Sequence, residues 1–203
     1  MTAEEFKRQL DELRKIIWDG VAYYWAWRGL LVEDEESLTA LNQYRAFFHP
    51  ARVSLRYMAL LQFAKVFDRH PRAVSLRNLL AKAKKDRQNL TPCATDGELD
   101  QIDTQLDENE ALLKSLKSLR DQRIAHHDAI RLTDGREPRR GEVQKLMKEI
   151  VAMFNALSKG HDGSVTGVSW LKSDAEWHTS QVVRIMREEM ERDNQRLRDI
   201  GTI

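Results

Sequence analysis

The sequence predicts an all-α protein. Glycine and proline together number 13 of 203 residues, about half of their usual share of roughly 12%. Charged residues make up 32% of the chain, against a usual share of about 25%. Apolar residues recur at spacings of three and four, which places them on one face of a helix. Few chain breakers and this periodicity favour long helices.

The composition also excludes several classes of protein. A lone cysteine, Cys93, is incompatible with a disulfide framework or a cysteine-based zinc site. No apolar run approaches the ~18 residues that span a bilayer, and the first residues resemble no secretory signal. We therefore expect no membrane association and a cytoplasmic location. The net charge of +1 restricts any nucleic-acid contact to a local patch.

The first helices are expected over residues 4–32, 38–48 and 51–67. One face of the first helix carries Phe6, Leu10, Leu13, Ile17, Val21 and Tyr24. Ser37 is a plausible N-cap for the second helix. The sequence His49-Pro50 should end or kink that helix, because proline has no N–H to donate. The second and third helices could therefore be one kinked helix.

The remaining helices are expected over residues 75–85, 98–128 and 142–158, with a last helix from 173 to about 198. Ser173 and Glu176 have the spacing of a capping box. Three glycines in residues 160–167 indicate a linker. We therefore predict a helical bundle over 1–160, a linker over 161–172, and a C-terminal helix over 173–203 that packs on the bundle or on a dimer partner.

The segment most suggestive of chemistry is residues 116–128, which carries Arg120, Arg123, His126 and His127. At about 100° per residue, Arg120 and His127 nearly eclipse each other, and Arg123 neighbours both histidines. Arginine binds phosphate oxygens in a bidentate manner. Histidine moves protons near neutral pH. Such a set suits RNA cleavage by the ribose 2′-OH, which needs no metal.

The spacing alone is not specific. With 21 arginines and 6 histidines, an arginine four to six residues before a histidine is expected about twice by chance. The structural alternative is a solvated helix face in which Asp121 and Asp128 pair with these cations. A hydrogen-bond network at a dimer interface is another alternative.

The order Arg120-Asp121 followed by Ile124-Ala125-His126 resembles the signature of the HEPN superfamily, in which an arginine and a polar residue precede a histidine by four to six positions. The wider pattern resembles the AbiU-type, or abortive-infection, branch. It comprises an aromatic segment at 23–28, an acidic turn at 33–36, a helix end at 63–68 and the Arg/His element at 119–128.

This resemblance implies a HEPN-like antiparallel bundle of about five or six helices that forms a homodimer with the Arg/His elements facing one cleft. It also implies a metal-independent endoribonuclease of a phage-defence or toxin–antitoxin system. Arg120 would hold phosphate, His126 would be the general acid or base, and Asp121 would take the polar position. The family pattern favours His126 and helix geometry favours His127. Other members are inactive, so a module that only binds RNA, a nucleotide or a protein is the alternative.

Further basic residues could follow an RNA backbone, although solvated helix ends explain them equally well. They are Arg123, Arg131, Lys84, Lys85, Arg139 and Arg140. The aromatic residues at 18–27 are interpreted as core rather than as base-stacking groups. No metal site and no cofactor are predicted. The expected partners are a second copy of the chain, RNA, and an antitoxin or defence-system protein.

Overall fold

The computed structural model describes residues 1–119 and 138–200. Within these ranges the chain forms α-helices and no strand, which confirms the all-α prediction. The helices are α1 (Ala3–Gly29), α2 (Glu35–Gln43), α3 (Arg45–Val66), α4 (Leu76–Lys85), α5 (Arg87–Leu90), α6 (Asp96–Glu108), α7 (Glu110–Leu119), α8 (Arg140–Asp162) and α9 (Ser169–Asp199).

The chain divides into two compact units. The first comprises Met1–Val21 and Met58–Val168, and the second comprises Ala22–Tyr57 and Ser169–Ile203. In the first unit α6 packs on α4, α7 and α8. Its core includes Phe6, Ile17, Leu79, Ile102 and Phe154, which are all at most 2% exposed. Burial of these side chains is the main force that holds the helices together.

The second unit has its own small core. Leu30, Leu41, Phe48 and Val183 are buried together there, and α2 packs on α9. An ion pair between Arg187 of α9 and Glu36 of α2 lies at the same junction. The last helix therefore packs within the second unit, because its Val183 side chain belongs to this core.

Two expectations about α2 and α3 are wrong. Asp34, not Ser37, caps α2, and its Oδ1 accepts a hydrogen bond from the Ser37 N–H at 2.8 Å. A carboxylate also suits the positive end of the helix dipole. The break expected at His49-Pro50 falls instead at Tyr44 (φ −109°, ψ 37°), and one helix, α3, runs through both residues. Pro50 lies inside α3, where it removes a single backbone hydrogen bond near the helix start.

Two further boundaries differ from the expectation. The helix predicted from residue 98 is divided at Asn109 into α6 and α7, and a capping box of Thr95 and Glu98 begins α6. The last helix begins at Ser169. Ser173 is therefore an interior residue, and its Oγ donates a hydrogen bond to the Ser169 carbonyl at 3.3 Å. A serine hydroxyl inside a helix can donate in this way to the carbonyl four residues earlier, instead of capping the helix.

Candidate active site

The predicted catalytic residues follow α7 directly in the sequence. Arg120, Asp121, Arg123, His126, His127 and Arg131 lie outside the residues that the structure describes. The described chain stops at Leu119, the last residue of α7, and resumes at Pro138 just before α8. The surroundings of α7 therefore form the described part of the candidate site.

A cleft of about 670 Å³ lies along one side of α7. The end of α3, the loop that follows it, the start of α4 and α7 itself form its walls. It is lined by Ala64, Phe67, Asp68, Arg69, His70, Arg77, Glu110, Leu113, Lys114, Leu116 and Lys117. Four arginine and lysine side chains outnumber two carboxylates in this lining, so the cleft favours an anion. Its apolar side chains could also contact a flat ring.

Glu110, the first residue of α7, connects three of these cations. Its Oε2 lies 2.5 Å from the Arg69 Nη2 and 3.6 Å from the Arg77 Nη2. Its Oε1 lies 3.8 Å from the Lys114 Nζ. Ion pairs near the surface stabilise a fold by only about 0–1 kcal/mol each. Their clearest effect is to orient the cations around one carboxylate.

Lys117 differs from its neighbours in the cleft. It is exposed and forms no ion pair with any residue that the structure describes. It lies two residues before the end of α7. Among the cations of the cleft it is therefore the one nearest in sequence to Arg120 and the most available for a bound phosphate.

His70 is a residue to which the sequence pattern assigned no role. Its backbone N–H donates to Oδ1 of Asp68 at 2.9 Å, and its Nδ1 accepts from the Arg72 N–H at 3.3 Å. The neutral ring then carries its proton on Nε2. Asn78 anchors the same turn by donating to the His70 carbonyl at 2.8 Å. The sequence contained one clue to His70. It lies two residues after Asp68, the last residue of the segment 63–68 that resembles the AbiU-type pattern.

The predicted RNA-binding lysines lie on α4, and neither lines the cleft. Lys84 is held by Asp100 and Asp103 of α6, with Nζ–O distances of 2.8 and 2.6 Å. Hydrogen bonds to these carboxylates raise the pKa of the Lys84 ammonium. Lys85, the last residue of α4, is exposed.

Arg139 and Arg140 lie at the start of α8 and are exposed. The Arg139 backbone N–H donates to Glu142 Oε2 at 2.7 Å. The adjacent Pro138 shares a groove with Ala111 and Ser115 of α7, and the cleft lies on another side of that helix. Leu119 and Pro138 are the described residues on either side of 120–137. Leu119 ends α7, and Pro138 borders the groove on that helix.

Other expectations concern metals, membranes and aromatic residues. In the two described ranges no three His, Cys, Asp or Glu side chains are arranged to hold a metal ion. No helix there is long and apolar enough to cross a bilayer. Tyr24, Trp25 and Trp27 are at most 9% exposed, which confirms that they are core residues.

Comparison with known proteins identifies the family. The family model HEPN_AbiU2, described as AbiU2, matches residues 3–179. The matched region includes α7, the cleft beside it and the Arg/His element at 119–128. No curated protein and no solved structure matches the chain. Because the family model covers most of the sequence, the chain belongs to the AbiU2 family of HEPN proteins.

Proposed function

We propose that the protein is a metal-independent endoribonuclease of a phage-defence or toxin–antitoxin system and acts as a homodimer. The observation that carries this proposal is the family match over residues 3–179, which includes Arg120 and His126. The charged cleft beside α7 supports it, because α7 leads directly into Arg120.

The proposed reaction transfers an RNA phosphate within the substrate. The ribose 2′-OH attacks the adjacent phosphorus, its proton passes to a base, and the 5′-oxygen leaves with a proton from an acid. His126, or His127 in its place, supplies these proton transfers, and the two subunits of a dimer provide both an acid and a base. Arg120 stabilises the charge on the phosphate oxygens. The products carry 2′,3′-cyclic phosphate and 5′-hydroxyl ends.

The described cleft has a supporting role in this proposal. RNA on either side of the cut carries further phosphates, and each attracts a cation of the cleft. Lys117 is the strongest candidate, since no described carboxylate neutralises it. We expect Lys117→Ala to raise KM several-fold, whereas Lys148→Ala, which removes an exposed lysine of α8, leaves KM unchanged.

A gel assay on total cellular RNA in EDTA tests the reaction. The wild type is compared with Arg120→Ala, His126→Ala and His127→Ala, and with His178→Ala, which removes an exposed histidine of α9 as a control. Loss of the general acid or base should slow cleavage about 10²- to 10⁴-fold. The fragments should be labelled directly at a 5′-hydroxyl, and the rate should follow a histidine-like pKa. Cleavage by an Arg120→Ala, His126→Ala double variant at the wild-type rate would contradict the proposal.

The second candidate is an inactive module that binds RNA, a nucleotide or a protein partner. The observation that favours it is the Glu110 network, in which one carboxylate engages three of the cleft's cations. This candidate predicts no cleavage by the wild type. Steep weakening of RNA binding with salt would then indicate phosphate contacts, and a flat response would indicate a protein partner.

A further inference from the structure

The proposed reaction assigns no role to His70, although His70 lines the cleft beside α7 and is exposed. Its Nδ1 accepts a hydrogen bond from the Arg72 backbone N–H at 3.3 Å. A ring nitrogen that accepts must keep its lone pair, so the neutral ring carries its proton on Nε2. Within residues 1–119 and 138–200, nothing accepts a hydrogen bond from this Nε2–H. The ring therefore has one N–H available to a ligand of the cleft.

The turn that carries His70 is fixed through backbone groups. The His70 N–H donates to Asp68 Oδ1 at 2.9 Å, and the His70 carbonyl accepts from the Ala73 N–H at 2.9 Å and from Asn78 Nδ2 at 2.8 Å. Asn78 Nδ2 also donates to the Ala73 carbonyl at 2.9 Å and so ties the turn to the start of α4. Pro71 restricts the backbone of His70 as well. A residue on such a turn loses little conformational freedom when it binds a ligand.

The donors of the cleft differ in how far the protein already occupies them. The Glu110 carboxylate holds three of the four arginine and lysine side chains. Lys117 forms no ion pair in the described part of the chain, and the Nε2–H of His70 has no acceptor there. One charged donor and one neutral donor are therefore the most available to an anion in this cleft.

We propose that His70 is a phosphate-binding residue of the cleft, and that its Nε2–H donates a hydrogen bond to a non-bridging oxygen of an RNA phosphate. This role rests on the proposed function, which makes RNA the ligand of the cleft. The excess of cations in the lining favours a phosphate over a base as the acceptor. Such a contact adds affinity without reading the sequence. Because His70 donates as a neutral group, it neutralises no phosphate charge.

Two substitutions separate this role from a purely structural one. His70→Gln places an amide N–H near the position of Nε2. His70→Asn places its amide near the position of Nδ1, where its oxygen can still accept from the Arg72 N–H. A phosphate-binding role predicts that His70→Gln binds RNA as the wild type does, whereas His70→Asn resembles His70→Ala. A residue that only completes the turn predicts the reverse.

Fluorescence anisotropy with labelled 2′-O-methyl 20-mers of uridine, cytidine and adenosine measures RNA binding by the full chain at pH 8. These RNAs have no free 2′-OH and cannot be cleaved, so binding is measured apart from the reaction. We expect His70→Ala to weaken binding of all three about tenfold or more. The control is His178→Ala, which removes an exposed histidine of α9 and should leave binding unchanged. Circular dichroism verifies that each variant is folded.

The salt dependence distinguishes a neutral donor from a charged one. A phosphate contact of Lys117 releases a counterion, so Lys117→Ala should reduce the slope of log K against log salt by about 0.7. His70→Ala should lower the affinity without changing that slope. An equal fall in slope for both variants would overturn the inference, because His70 would then act as a cation.

Four other results would overturn it. They are no binding of the 20-mers by the wild type, wild-type affinity in His70→Ala, binding by His70→Gln that is no stronger than by His70→Asn, or a loss confined to one of the three sequences, which would assign the contact to a base. RNA binding that depends on His70 without any cleavage would remove the endoribonuclease proposal alone. Cleavage by the wild type, together with unchanged RNA binding in His70→Ala, would remove this inference alone.

Discussion

The Arg69 guanidinium lies 2.5 Å from the carboxylate of Glu110 and joins the loop after α3 to the first residue of α7. Both residues line the cleft, so this contact places an acid among its cations. Glu110 also contacts Arg77 and Lys114, so it controls how much of the cleft's positive charge is available to a ligand.

Replacing this acid should strengthen anion binding. Glu110→Gln removes one negative charge and releases three cations, so we expect 2′-O-methyl RNA to bind a few-fold more tightly at 50 mM salt. The gain should disappear at high salt because screening weakens exposed charges. Glu108→Gln is the control, since it removes the same charge outside the cleft. Equal gains in both variants would show that only net charge matters.

The two lysines at the end of α4 should differ in their effect on stability. Lys84 bridges α4 to Asp100 and Asp103 of α6, so Lys84→Ala should lower the free energy of unfolding by about 0.5–1 kcal/mol. Lys85→Ala should leave it unchanged, because Lys85 has no such partner among the described residues. Urea denaturation of both variants measures the difference. Equal stabilities would mean that the bridge contributes nothing in solution.

The stabilising effect of the Lys84 bridge should be lost at alkaline pH. The pKa of Lys84 is raised by its hydrogen bonds to Asp100 and Asp103. Its contribution to the free energy of unfolding is therefore complete when the pH is below the ordinary lysine pKa of about 10.4. It is lost as the pH rises through the higher pKa of the folded state. The stability difference between wild type and Lys84→Ala should therefore persist to about pH 10 and shrink above it. A constant difference would contradict this assignment.

The capping box of α6 should contribute to stability at neutral pH and lose part of its effect in acid. The Thr95 Oγ1 accepts from the Glu98 N–H at 3.2 Å, and Glu98 accepts from the Thr95 N–H at 2.7 Å. Thr95→Ala should cost about 1 kcal/mol. The backbone hydrogen bond from Thr95 lowers the pKa of Glu98.

The contribution of the Glu98 carboxylate to the free energy of unfolding is therefore present above its ordinary pKa. It is lost as the pH falls through the lowered pKa of the folded state. Thermal melts of wild type and Glu98→Gln between pH 7 and pH 3 should converge at the acid end. Melting temperatures that stay equally separated at both ends would refute the role of the carboxylate.

A glycine in the second unit should be irreplaceable. A Cβ on Gly29, the last residue of α1, would lie 2.6 Å from the Thr179 Cβ of α9, a distance at which one helix must move. Gly29→Ala should therefore cost about 1–3 kcal/mol. Gly97→Ala is the matched control, because a Cβ there meets nothing within 4 Å, and it should gain up to about 1 kcal/mol of helix propensity. Similar denaturation midpoints for the two variants would contradict this packing.

Several features followed from the sequence because they depend on local periodicity. The apolar spacing in α1 identified Phe6, Leu10, Leu13 and Ile17, which are all buried. Helix ends were less predictable, because several side chains compete for each cap. Asp34 rather than Ser37 caps α2, and the Ser173-to-Glu176 spacing occurs inside α9 instead of opening it.

The sequence by itself determined the all-α class, the core faces of the helices and, by resemblance, the family and the Arg/His element. These properties depend on spacings of at most a few turns or on a pattern of neighbouring residues. Only the tertiary structure brought Asp68 and His70 together with Lys117 across one cleft. It also left the Phe47 ring exposed while its neighbour Phe48 is buried. Contacts between residues distant in sequence depend on how helices pack, and no local spacing contains that information.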